Sequence, residues 1–301
     1  VGESTGLNPN SDPRPHYPET YAFFDETFYL DTYSDVAALL TSPAGDYPTA
    51  YHHYHAVGQQ AGRNPNANFS EFFYWIMNTA AYQAFLAGDY LSAFDHYIRV
   101  GQAEGREIYP ETEAGFDESF YTNTYSDVAA AMATGAYESV YHHYYSVGQS
   151  EAREPNASFS EYFYRIANPD IAAAIAAGDL LGERALLSGY DHYLRAGQAD
   201  GRPLFPETQA SFDETFYLDT YGDVAAAIAA GSYFSAYHHY YDVGQQAGRD
   251  PNATFREYWY KLTNPEVVTA IASGDYLSGF DHYVRVGQAE GREIYPATLA
   301  A

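Results

Sequence analysis

One motif, written six times, constrains this chain more than anything else in it. Aligned on the phenylalanine that opens each copy (Phe24, Phe69, Phe116, Phe159, Phe212, Phe255), a tyrosine follows five residues later every time: Tyr29, Tyr74, Tyr121, Tyr164, Tyr217 and Tyr260. A Gly-Gln step comes next, at Gly58, Gly101, Gly148, Gly197, Gly244 and Gly287. Five residues beyond each glycine stands an arginine: Arg63, Arg106, Arg153, Arg202, Arg249 and Arg292. Four copies place the glycine 32 residues after the phenylalanine; the first needs 34, through "SPAG", and the fourth 38, through "LLGERALL". A small unit repeated at this period cannot bury both its faces alone, so copies must stack.

The copies alternate. Odd repeats (A) carry "YHHY" and even repeats (B) carry "DHY". Each reads as three short helices. Asp25, Asp117 and Asp213, with Ser70 and Ser160 in B repeats, are expected to N-cap the first, and Arg256 breaks that pattern in the last repeat. The phenylalanine before the cap and the tyrosine after it form a hydrophobic staple. Asn168 and Asn264 are expected to cap the second helix, with Pro169 and Pro265 opening it. Gly88, Gly135, Gly178, Gly231 and Gly274 are expected to stop it. The third helix carries the histidines and ends at the Gly-Gln glycine. No strand-like alternation is sustained. The expected fold is all-α, a helical repeat array of six three-helix units in three A–B pairs (about 22–111, 112–207 and 208–301), preceded by an extended arm at 1–21. A chain that opens on Val1 is expected to be a mature product or an excised segment.

Acidity narrows the partners. Forty acids against 14 bases give a formal charge of −26, and Lys261 is the only lysine. Such a chain repels nucleic acid and anionic lipid, and no apolar run is long enough for a membrane helix. There is no cysteine, hence no disulfide or thiol chemistry. Nucleophile-elbow, phosphate-loop, zinc-protease and EF-hand signatures are all absent, and six similar units argue against one catalytic centre. The chain is therefore read as non-enzymatic. No cofactor is expected, a divalent cation being the one that the acidity admits.

The stretches "FDETFYLDTYSDVAA", "NPDIAAAIAAGD" and "HYIRVGQAEGRE" resemble a repeat of bacterial secreted and surface proteins. That repeat often accompanies calcium-binding glycine-rich repeats or chains linked to polysaccharide synthesis. The resemblance spans Phe24 to about Tyr295 and implies an extracellular or cell-surface setting in a bacterium. It carries over no catalytic residue, and the glycine-rich calcium nonapeptides are missing.

Within the repeat, His53, His96, His143, His192, His239 and His282 recur in every copy and are expected to be structural, bonded to a neighbouring helix end with the ring beside a tyrosine. The preceding position alternates between His52, His142, His238 and Asp95, Asp191, Asp281. These could meet across A–B interfaces and hold a divalent metal, although adjacent helical residues point about 100° apart and "HH" alone cannot chelate. The repeated arginines are expected to pair with Glu26, Glu71, Glu118, Glu161, Glu214 and Glu257. Tyr145, Tyr241, Tyr47, Tyr90, Tyr137, Tyr233 and Tyr276 are candidates for an outward surface that packs on sugar rings or another protein. Asn68, Asn156 and Asn252 match glycosylation acceptors, and shared turn chemistry explains them equally well. The leading expectation is a structural or adhesive repeat protein that self-assembles into a surface layer or filament. The alternatives are a carbohydrate-binding module using exposed tyrosines and a metal-binding protein.

Overall fold

The computed structural model describes residues 18–41, 47–182 and 184–294. Of the arm, residues 1–17 lie outside these, as does the "SPAG" insertion of repeat 1. The chain divides into two compact bodies, Val1–Gly115 with repeats 1 and 2, and Phe116–Ala301 with repeats 3 to 6. Each is an all-α stack of three-helix repeats.

The first helices run Glu26–Thr32, Glu71–Met77, Glu118–Thr124, Glu161–Ala167, Glu214–Thr220 and Glu257–Thr263. Five start on the side chain expected of them: Asp25, Ser70, Asp117, Ser160 and Asp213 each accept the amide three residues on. Arg256 makes no cap. The amide of Glu257 is taken by Asp250, at 2.8 Å, as Asn64 and Glu154 take those of Glu71 and Glu161, and Arg256 pairs with the Asp250 carboxylate at 3.2 Å. The staple forms in all six repeats, with Phe–Tyr ring centroids 5.1–5.4 Å apart. These tyrosines are fully buried and form the centre of each repeat's core.

The second helices, for example Pro169–Ala177 and Pro265–Ser273, stop where the backbone turns left-handed at Gly88, Gly135, Gly178, Gly231 and Gly274, with φ from +71° to +87°. Glycine alone reaches that region without strain. Asn168 departs from the expected cap. It stands at the N-cap position, yet its amide donates to the carbonyls of Tyr164 (2.9 Å) and Pro203 (2.8 Å), tying the end of the first helix to the segment that leaves its repeat. The "LLGERALL" insertion forms a hairpin, Leu180–Leu181 against Arg184–Ala185.

The third helix is capped by Thr49, Ser92, Ser139, Ser188, Ser235 and Ser278, a set the sequence reading passed over. It runs α for four residues and then widens into a π turn, at Tyr54–Gly58, Tyr97–Gly101, Tyr144–Gly148, Tyr193–Gly197, Tyr240–Gly244 and Tyr283–Gly287. The amide after each glycine reaches back five residues to the tyrosine carbonyl, at 2.7–2.9 Å. Such turns are rare and occur singly; here one is built into every repeat.

Candidate functional site

The π turn exists to admit a side chain. From the first helix, the buried tyrosine of each repeat sends its hydroxyl to Nδ1 of the repeated histidine: Tyr29–His53, Tyr74–His96, Tyr121–His143, Tyr164–His192, Tyr217–His239 and Tyr260–His282, at 2.7–3.1 Å. A Cβ on Gly58, Gly101, Gly148, Gly197, Gly244 or Gly287 would fall closer than 3.0 Å to that hydroxyl. The glycine is therefore space left for the tyrosine. The histidine's partner is this side chain, not the helix end that was expected. Tyr47, Tyr90, Tyr137, Tyr233 and Tyr276 close the other side, set edge-on to the same imidazoles at 4.5–5.0 Å. Five of the candidate surface tyrosines thus serve as half-buried lids on a histidine. Tyr145 and Tyr241 are half-buried too; the Tyr241 ring lies 5.8 Å from Phe163.

The alternating position resolves into one task with two chemistries. Asp95, Asp191 and Asp281 accept the amides of Leu91, Leu187 and Leu277, four residues earlier, at 2.9–3.3 Å. His142 and His238 do the same through Nδ1 for Glu138 and Phe234, at 3.2 and 3.3 Å. His52 instead meets Thr49 Oγ1 at 2.8 Å. The aspartates are further engaged by Arg99, Arg195 and Arg285, and His238 by Asp242 at 3.1 Å. These bonds each join the aspartate or histidine to a group of its own repeat. Among the described residues no three histidine or carboxylate side chains converge as a metal would require.

The arginines also find partners other than those expected. Arg63, Arg153, Arg202 and Arg249 fork onto Asp35, Asp127, Asp170 and Asp223 at the start of the second helix, at 2.6–2.8 Å, and Arg292 meets Glu266 there. Repeat 2 has Ala80 at this place, and Arg106 turns to Glu104 at 2.6 Å. The guanidinium beside Asp35, Asp127, Asp170, Asp223 and Glu266 holds each of these carboxyls below the usual range. The cap-region glutamates instead cross to the third helix. Glu71, Glu161 and Glu257 accept two amides each: Ala93 and Phe94, Gly189 and Tyr190, Gly279 and Phe280, at 2.6–3.2 Å.

Glu71 differs from its copies in one respect. Arg165 and Lys261 stand one turn after Glu161 and Glu257 and pair with them, whereas Trp75 occupies that place after Glu71. Burial without a cation pushes the Glu71 carboxyl up to about 8. An unfolded glutamate titrates near ~4.3. Between those values the folded state alone holds the proton, so stability falls as pH rises through the window. The loss is on the order of 5 kcal/mol by pH 8. The six repeated histidines have the opposite sign. Burial lowers them, so their contribution is present above about 6.5 and lost as pH falls below it. Glu71→Gln is expected to flatten the alkaline decline while leaving the acid one intact. Urea titrations at pH 5, 6.5 and 8 check this, and an alkaline slope unchanged by the substitution would count against it.

Within the second body, repeat 4 docks onto repeat 5 through its first helix. Phe163, 1% exposed, packs against Phe205, Phe234, Tyr237 and Tyr241, with centroids 4.9–5.8 Å apart. Beside it the Tyr162 ring lies 4.7 Å from His238 and its hydroxyl bonds Asp242. The same helix in repeat 6 carries Tyr258, Trp259 and Leu262 where repeat 4 has Tyr162, Phe163 and Ile166. There Tyr258 is 77% and Leu262 65% exposed. Two of the three junction positions are thus exposed on repeat 6, while Trp259, the counterpart of Phe163, is half-buried. Among the described residues no helix is long and apolar enough to cross a membrane. No family model, curated protein or solved structure matches the chain.

Proposed function

We propose that this protein is a non-enzymatic assembly module whose repeat 6 seats an A-type repeat of a second copy, giving end-to-end association into a filament or layer. The observation that carries this reading is the exposure of Tyr258 and Leu262, whose counterparts Tyr162 and Ile166 flank the Phe163 contact that repeat 4 makes with repeat 5. An aromatic patch of this kind on an otherwise acidic surface marks a contact site. In this reading, which the resemblance to repeats of bacterial secreted and surface proteins supports, the assembly is an adhesive or structural layer outside the cell. The charge of −26 opposes close approach, and salt shortens its reach from about 10 Å at 0.1 M to about 3 Å at 1 M. Association is therefore expected to strengthen with ionic strength. Sedimentation velocity checks this: the average mass should rise with concentration and salt, and Tyr258→Ser with Leu262→Ser should hold the chain as a monomer. Equal behaviour of the two proteins would refute the proposal.

A further inference from the structure

Three departures from the repeat pattern converge on one cleft of about 660 Å³ in the second body. Phe234, 51% exposed, stands where the other A repeats have Pro48 and Glu138. Glu154 stands where they have Asn64 and Asp250. Ala152 holds a left-handed backbone, φ +56°, where the other five repeats have glycine. All three line the cleft. Its walls include Tyr162 and Phe205 as well as Phe234, and Gln209 and Glu214 add polar groups. No arginine, lysine or histidine is among the described lining residues.

We infer that this cleft binds a neutral oligosaccharide. Aromatic faces take the C–H face of a pyranose ring, while carboxylate and amide oxygens accept its hydroxyl protons. Such a mixture of apolar walls and a few convergent polar groups is typical of ligand clefts. The absence of cations argues against phosphate or carboxylate ligands. Glu154 is already committed to the Glu161 amide at 2.5 Å and to Ser160 at 3.1 Å. Burial pushes its carboxyl up to about 7, which makes it a poorer partner for an organic cation than a surface carboxylate. Glu214 makes one long bond, to the Ala236 amide at 3.4 Å, which leaves acceptor capacity facing the cleft.

The test is calorimetric titration of the full chain with β-gluco-, xylo-, manno- and malto-oligosaccharides, and with tetramethylammonium as a cationic probe. Saturable binding of at least one oligosaccharide is expected. Phe234→Ala should weaken it about tenfold or more with the helical spectrum unchanged, and Tyr258→Ser, on the assembly face, should leave it unaffected. Binding of none of the oligosaccharides, affinity indifferent to Phe234→Ala, or saturable binding of tetramethylammonium alone would each overturn the inference.

Discussion

Gly244→Ala is expected to destabilise the second body by about 3 kcal/mol, and Tyr217→Phe in the same chain to return part of that loss. The added methyl would overlap the Tyr217 hydroxyl. Overpacking of a well-filled site costs about 1–3 kcal/mol. Displacing the hydroxyl also strands buried His239, whose Nδ1 loses its 3.0 Å partner, at roughly 1–3 kcal/mol. Tyr217→Phe alone loses the hydrogen bond and should cost about 1.5 kcal/mol. In the double variant the hydroxyl is gone and the methyl meets a ring carbon at 3.2 Å. The combined cost is then expected near 2 kcal/mol, well below the sum of the single changes, because the two residues share one space. Urea titration of the four proteins checks this, and simple additivity would show that the glycine is not there for the tyrosine.

Phe163→Ala is expected to cost about 3–5 kcal/mol, the range for deleting a buried aromatic ring. It is also expected to separate the unfolding of repeats 3–4 from that of repeats 5–6, since stacked repeats hold together through nearest-neighbour interfaces. Leu262→Ala, on the uncovered copy of that helix, is expected to stay within about 0.5 kcal/mol in dilute solution. Calorimetric scans of the two variants check the contrast. A single sharp transition for Phe163→Ala at the parent temperature would contradict it.

The local grammar of the repeat was legible. Caps at Asp25, Ser70, Asp117, Ser160 and Asp213, the phenylalanine–tyrosine staples and the stopping glycines all act over a few residues, and the sequence states them directly. The site was less legible because its bonds cross between helices. The partner of Tyr217 lies 22 residues away, and nothing in "HYYDVGQ" announces a π turn. The repeated glycine was the available sign, and it read as a helix end. Arginine pairing was misassigned because the cap-region glutamate recurs in six repeats, whereas the acid that takes the arginine recurs in five, Ala80 replacing it in repeat 2. The histidine–aspartate alternation suggested metal ligands. Its physical content is simpler: imidazole Nδ1 and carboxylate oxygen are both acceptors, and at His142, His238 and the three aspartates the same backbone amide needs one. The stacking face needed burial to be seen, since "EYFY" and "EYWY" are nearly the same word with different surroundings.

The freedom from native cysteine allows the proposed stacking to be trapped directly. Tyr162 meets Asp242 in the internal junction. Tyr258 is the copy of the first residue, and Ala56, exposed and two residues before Gly58, stands at the position of the second in repeat 1. A chain carrying Tyr258→Cys and Ala56→Cys, oxidised in high salt and run on a non-reducing gel, is expected to give a ladder of covalent oligomers that neither single variant gives. No ladder, an internally bonded monomer, or the same dimer from Tyr258→Cys alone would contradict end-to-end stacking of these repeats.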